Sequence, residues 1–116
     1  MEGMGDNTTN RVGASRPLTT TATILGKKWH PLIVAELLEA GPLGFNDLKE
    51  RVTGISDKVL SESLDDLEER DLVERTVLDD KPVRVEYSLT EWGEQLELVV
   101  TVMEKWGERY LDARDE

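Results

Sequence analysis

Whatever chemistry this chain performs is done without a thiol and almost without imidazole. Its 116 residues include no cysteine and a single histidine, His30. That excludes disulfides, thiolate-zinc sites and thiol redox switches in this chain, and leaves little for nitrogen ligation of a metal. No nucleophile and base stand at a telling spacing, and no glycine-rich phosphate loop occurs. The sequence therefore predicts no enzyme, no cofactor and no metal site. What it offers instead is cations and hydroxyls about one helical turn apart. Wound as a helix, the segment from Ser56 places Lys58, Ser61 and Glu62 away from the stripe formed by Leu60, Leu64 and Leu67. Lys49 and Arg51 precede this segment, and Lys81 and Arg84 follow it on either side of Pro82. Such groups donate to phosphate oxygens, and several can also reach base edges, so the chemistry on offer is recognition of a nucleic acid.

These side chains need elements to aim them. Residues 1–15 are rich in Gly, Asn and Thr with hardly any apolar content, and are expected to form a disordered tail. Residues 16–116 suffice for one domain. A short helix is predicted from Pro17 to Leu25, with Leu18, Ala22 and Leu25 on one stripe. Pro31 suits the first turn of a second helix, which carries Ile33, Leu37 and Ala40 and stops at Gly41-Pro42. Asn46 is the expected N-cap of a third helix bearing Leu48 and Val52, closed by a turn at Thr53-Gly54. Ser56 caps a fourth, with Asp57 in the first turn where the helix dipole favours an anion. Asp71 is placed where a left-handed residue ends that helix.

The periodicity then changes from helical to alternating. Residues 73–77 and 83–89 alternate apolar with polar around the turn Asp79-Asp80-Lys81-Pro82, which predicts a β-hairpin. Thr90 caps a last long helix, to about residue 113, with Leu96, Val99, Val100, Met103, Trp106, Tyr110 and Leu111 on a broad apolar face. Two short helices around a tight turn, followed by a hairpin, make an α+β, mainly helical fold: a winged helix-turn-helix with a β-hairpin wing and terminal dimerisation helices. A helix fits the DNA major groove, and a basic hairpin reaches the neighbouring minor groove or phosphates. An apolar face on a terminal helix is a patch that monomers avoid, so a homodimer is expected.

The residues then resemble a family: the HxlR-type regulators within the wider MarR- and PadR-like winged-helix group. The matching stretches are Leu25-Gly26-Lys27-Lys28-Trp29, Gly54-Ile55-Ser56-Asp57-Lys58-Val59-Leu60 and Asp71-Leu72-Val73-Glu74-Arg75. The run from Arg84 to Gly93 adds a fourth. The resemblance implies a homodimer whose first and last helices form the interface, with Leu18, Leu25, Val99, Met103, Trp106 and Tyr110 as the contact residues. It also implies that the Ser56–Arg70 helix reads DNA and that the wing carries Arg84. Two positions depart from the family pattern. Arg16 stands where members often carry the cysteine that senses oxidants or aldehydes, and Ser63 stands where an arginine is usual. Lys58 is then the sole cation expected on the groove-facing side of the helix, among Glu62, Asp65 and Asp66.

Charge qualifies this reading. Fourteen Lys and Arg against twenty-five Asp and Glu give a formal net charge of −11, whereas most DNA binders are basic. Adaptation to very high salt, as in a halophilic archaeon, accounts for both features, since screening falls to about 3 Å at 1 M salt. The cysteine-free, acidic profile is similar to haloarchaeal regulators of the oxidative-stress response. With no apolar run long enough to cross a bilayer, a cytoplasmic protein is expected. The expected partners are double-stranded DNA, a second copy of the chain and the basal transcription machinery. Two rivals stay open: a winged-helix module that holds proteins and ignores DNA, and a sensor whose DNA binding is ligand-gated. Locally, Arg84 could instead pair with Glu74 or Glu86, Lys49 and Arg51 could touch phosphate or be solvated, and Lys27 and Lys28 are undecided. For His30, capping or packing outweighs a pH or metal sensor. Asp79-Asp80 with Glu68-Glu69 could hold a cation or simply be hydrated. Trp92, Trp106 and Tyr110 could line an effector pocket, with core or dimer packing as the default.

Overall fold

A computed structural model of the chain describes residues 15–115. In order it has α1 (Arg16–Leu25), α2 (Trp29–Ala40), α3 (Phe45–Arg51), α4 (Asp57–Glu69), β1 (Val73–Asp80), β2 (Val83–Leu89), α5 (Glu91–Glu94) and α6 (Glu97–Asp115). This is the expected winged helix-turn-helix. The tail expected before residue 15 lies outside the described residues, and Ser15 itself caps α1, its hydroxyl accepting from the Leu18 amide.

The core is gathered around α2. Ile33, Val34 and Leu37 meet Leu48 and Val52 from α3, Leu60, Leu64 and Leu67 from α4, and Leu72, Val73 and Tyr87 from the wing base. Each large side chain fully removed from water contributes about 1.5–3 kcal/mol. That burial accounts for α3, which at seven residues is far too short to persist alone. The buried stripe of α2 runs His30, Ile33, Val34 and Leu37, at i, i+3, i+4 and i+7. Ala40, expected on that stripe, is exposed.

Two caps differ from expectation. α3 is entered through Gly44, with Phe45 rather than Asn46 as its first residue and no side-chain cap. Asn46 is exposed inside the first turn, because the chain must turn in at Phe45, which packs on the core. α4 behaves as read. The Ser56 hydroxyl accepts from the Val59 amide at 3.2 Å. The helix ends with Leu72 N donating to Leu67 O and Asp71 N to Glu68 O, both at 3.0 Å. That pairing is a Schellman motif, and it needs the left-handed Asp71, whose φ is 63°.

The wing pairs Val73 with Leu89, Val77 with Val85 and Asp79 with Arg84, with a register shift between Val77 and Asp79. β1 therefore runs to Asp80, three residues past the end of the alternation, because the irregularity at Leu78 breaks the period without ending the pairing. Leu43 exchanges two backbone hydrogen bonds with Tyr87, at 2.9 and 2.7 Å, tying the α2–α3 connection to the wing.

The single last helix expected from Thr90 is two helices. Thr90 caps only α5, accepting from the Gly93 amide at 3.1 Å while donating to Asp71 O at 2.7 Å. Gly93 is pressed onto the wing base: a Cβ there would lie 2.2 Å from the Leu72 carbonyl oxygen. Leu96 and Val100 must also pack on the core. The chain satisfies both by turning at Gln95 and Leu96 before α6 begins. No helix among the described residues is long and apolar enough to cross a membrane.

Candidate nucleic-acid interface

The side of α4 away from its leucines is solvent-facing from the first residue. Lys58, Ser61, Glu62 and Asp65 are all exposed there, as is Ser56 at the cap. Among the described residues Lys58 has no ion-pair partner, so its ammonium group is available to a ligand. Two corrections alter this face. Asp66, expected beside Lys58, turns toward α2 and keeps only 24% of its side chain exposed. Ser63 is buried at 7%, so the residue type at position 63 is not part of the exposed surface. Both lie on the flank of α4 where the helix meets α2, Ser63 at the edge of the leucine stripe and Asp66 further round.

Lys49 and Arg51 sit on α3, and both are engaged. Lys49 Nζ pairs with Asp57 Oδ1 at 2.8 Å, joining α3 to the first turn of α4. Arg51 pairs with Glu36 at 3.1 Å and reaches Glu39 at 3.9 Å, joining α3 to α2. These exposed pairs add little stability, about 1 kcal/mol at most. Their consequence is orientation of α3 and neutralisation of Asp57. On the wing, Lys81 and Arg84 are exposed. Arg84 stands across the ladder from Asp79 and makes no ion pair with Glu74 or Glu86. The wing tip also exposes Val77, Leu78 and Val83.

Behind α4 lies a polar junction that pattern reading missed. His30 is 3% exposed, and its Nε2 lies 2.8 Å from Asp66 Oδ2. The same oxygen accepts from Arg70 Nε at 2.9 Å and lies 3.9 Å from Lys27 Nζ. The His30 hydrogen bond, aided by Arg70 and Lys27, holds the Asp66 carboxyl below the ordinary carboxylate value against the opposing pull of burial. The other imidazole nitrogen, Nδ1, is buried without a partner. The packing role expected for His30 is the one it fills. Residues 36 apart leave no periodic signal, so only His30 within an apolar stripe hinted at the contact.

A second surface lies on α6. Leu98, Val99, Val102, Met103 and Trp106 line an open apolar groove of about 550 Å³. Trp106 stacks on Tyr110 with ring centroids 5.0 Å apart, and both rings are exposed, as is Leu18 on α1. Leu25, the remaining expected interface residue, is 7% exposed and is already taken up within its own chain. Leu98 and Val102 were missed because the apolar stripe was anchored on Leu96. Trp92 is 61% exposed on α5, and neither it nor Tyr110 lines that groove.

With this arrangement in place, the chain can be set against known proteins. The HxlR-like helix-turn-helix family matches residues 24–115. This chain belongs to that family. The transcriptional regulator YodB of Bacillus subtilis is 40% identical over 93 residues, covering 80% of this chain and 82% of YodB. YdeP, also an HTH-type regulator of B. subtilis, is 37% identical over 99 residues, covering 85% and 77%. Among solved structures, the reduced form of YodB superposes with a TM-score of 0.72 at 38% identity, over 82% of this chain and 92% of that one. The redox regulator HypR in its reduced form gives 0.78 at 33% identity, over 85% and 97%. The chain is an HTH-type transcription regulator and not an enzyme.

Proposed function

We propose that this HxlR-family member is a homodimer that binds promoter DNA sequence-specifically, reading bases with α4 and contacting the backbone with the wing. The observation that carries this reading is the Ser56-capped α4 with exposed Lys58, Ser61 and Glu62, in a chain whose wing exposes Arg84 and Lys81. Lysine and serine donate to acceptors on base edges, and a glutamate accepts from the cytosine amino group. The α6 groove, with Leu18 of α1, supplies the dimer surface. A two-fold dimer then presents its two α4 helices to half-sites about 34–36 Å apart. Occupancy near a promoter would block or aid the basal transcription machinery sterically.

The regulator works in a cytoplasm of very high salt, such as that of a halophilic archaeon, and in a stress response. The support for the first is the formal charge of −11. The support for the second is kinship with YodB, solved in quinone-bound and diamide-treated forms, and with HypR, solved reduced and oxidised. A chain without cysteine cannot take an oxidative signal through its own thiol, so the input reaches it by another route. The test is duplex selection from a random pool, followed by mobility shifts with Lys58→Ala and Arg84→Ala. Selection of a two-fold motif, weakened in both variants, is the expected result.

A second reading, a protein-binding winged helix, is favoured by the same net charge and by Glu62 and Asp65, exposed beside Lys58 and without ion pairs among the described residues. Failure to enrich any duplex, with a dimer intact in sedimentation, would favour it.

A further inference from the structure

We infer that His30 is a positioning residue that sets the roll of the reading helix, so that discrimination between DNA sequences depends on its bond to Asp66. The inference rests on the DNA-reading role of α4. Where α2 meets α4, apolar burial fixes a distance but hardly an orientation, because that attraction is non-directional. A hydrogen bond has a direction and weakens steeply off line. Among the described residues, the hydrogen bond that joins α2 to α4 directly is His30 Nε2–H to Asp66 Oδ2, at 2.8 Å. Arg70 at the end of α4 and Lys27 before α2 converge on the same oxygen. Four residues from three segments are thereby referenced to one atom.

The lever arm is short and the consequence large. Glu62 lies one turn before Asp66, and Lys58 one turn before Glu62. With side chains a helix has a radius of about 5–6 Å, so a roll of about 20° moves its outer atoms by about 2 Å. That breaks a base-edge hydrogen bond whose useful range is a few tenths of an ångström. Room for such a roll exists. An open pocket of about 240 Å³ flanks the junction, lined by Trp29, Val59 and Ser63 beside the polar residues.

The imidazole is also a poor choice for stability alone. Nδ1 is buried with no partner, a cost that a leucine would avoid. Removing His30 would not strand Asp66, which keeps Arg70 and Lys27. A residue that leaves one ring nitrogen unsatisfied and is dispensable for pairing the Asp66 charge is suited to fixing geometry.

The test uses the full-length protein and a duplex selected by it, with a scrambled duplex as reference, in fluorescence anisotropy at fixed salt. His30→Leu removes the bond, while His30→Gln keeps an N–H near the position of Nε2. The expected result for His30→Leu is a loss of about tenfold on the selected duplex, equivalent to one base contact, with scrambled binding undiminished. His30→Gln should stay within about twofold of the wild type on both duplexes. Equal affinity of His30→Leu and wild type for the selected duplex would overturn the inference, as would a parallel fall on both duplexes together with Tm. If the wild type selects no duplex at all, the DNA-reading role fails and the positioning role falls with it. That outcome is distinct from a selective wild type with an indifferent His30→Leu.

Discussion

The salt dependence of DNA binding should be shallow for a family member, and the structure bounds how shallow. Each phosphate neutralised by a protein cation contributes a slope of about −0.9 to log K against log salt. Five cations lie on the proposed DNA-facing side of each protomer: Lys49, Arg51, Lys58, Lys81 and Arg84. Two of them are committed, Lys49 to Asp57 and Arg51 to Glu36. Three per protomer remain, or six in a two-fold dimer, which caps the slope at about −5. Were all ten engaged, it would be about −9. The exposed Glu62 and Asp65, and Asp79 and Asp80 on the wing, hold cations near the DNA that are not released, so the measured slope should be shallower still. The assay is anisotropy of a labelled selected duplex from about 0.2 to 2 M KCl. Arg84→Ala, which removes a proposed backbone contact from each half-site, should remove about 2 from the slope magnitude, and Glu62→Gln should steepen it. A slope near −9 would show that the Lys49 and Arg51 pairs open on DNA and that the acidic side chains retain nothing, and would refute this account.

Gly93→Ala should cost about 2–4 kcal/mol, read as a drop in the guanidinium midpoint, because overpacking adds to loss of a backbone hydrogen bond. Its Cβ would meet the Leu72 carbonyl oxygen at 2.2 Å and Leu89 Cδ2 at 2.9 Å, and opening that gap pulls Thr90 N from the same carbonyl, now at 3.0 Å. Trp106→Glu should weaken self-association by roughly a hundredfold or more in sedimentation, with unchanged far-UV dichroism, since it replaces the largest apolar side chain of the α6 groove with a charge on both copies. Asp66→Asn should destabilise the protein at pH 7 but not in strong acid. Its folded carboxyl titrates below the ordinary value, chiefly through His30, so its contribution is present above about pH 4 and is lost as pH falls through the lower folded value. Urea midpoints for both proteins at pH 7 and near pH 2 should therefore differ and then converge.

Local rules carried the reading wherever one segment settled its own geometry. Ser56 and Asp71 bracket α4 because a hydroxyl acceptor and a tolerant left-handed residue are needed within a few positions of each other. Leu60, Leu64 and Leu67 identify its buried side by spacing alone. β2 has the ends that its alternation indicates. Reading stops where two segments must agree. Asp66 and Lys58 are both charged residues off the leucine stripe, and only the presence of α2 sends one inward and leaves the other in water. Leu18 and Leu25 look alike along the helix, yet Leu25 is covered by its own chain and Leu18 is 69% exposed. The break between α5 and α6 has no glycine or proline at the turn. It arises because Gly93 needs contact with Leu72 while Leu96 and Val100 need the core, a conflict visible only in three dimensions.

The acids on α4 are of two kinds, and the difference bears on how such a regulator could keep its selectivity in salt. Asp57 and Asp66 are neutralised internally, by Lys49 and by the His30, Arg70 and Lys27 group, and serve to hold the helix. Among the described residues Glu62 and Asp65 have no such partner, and both are exposed on the side of the helix that carries Lys58. Opposite a cytosine amino group a carboxylate accepts a hydrogen bond; opposite the acceptors of guanine or thymine it is repelled. Non-specific binding is almost wholly phosphate attraction and fades as salt rises, whereas base-edge hydrogen bonds are short-range and little screened. Sacrificing phosphate cations for carboxylates thus lowers binding to every sequence but lowers it least for the right one. The ratio of selected to scrambled affinity should accordingly hold or grow as KCl is raised, even as both affinities fall. A ratio collapsing toward one at high salt would mean that the discrimination is electrostatic and that the outward carboxylates have no part in it.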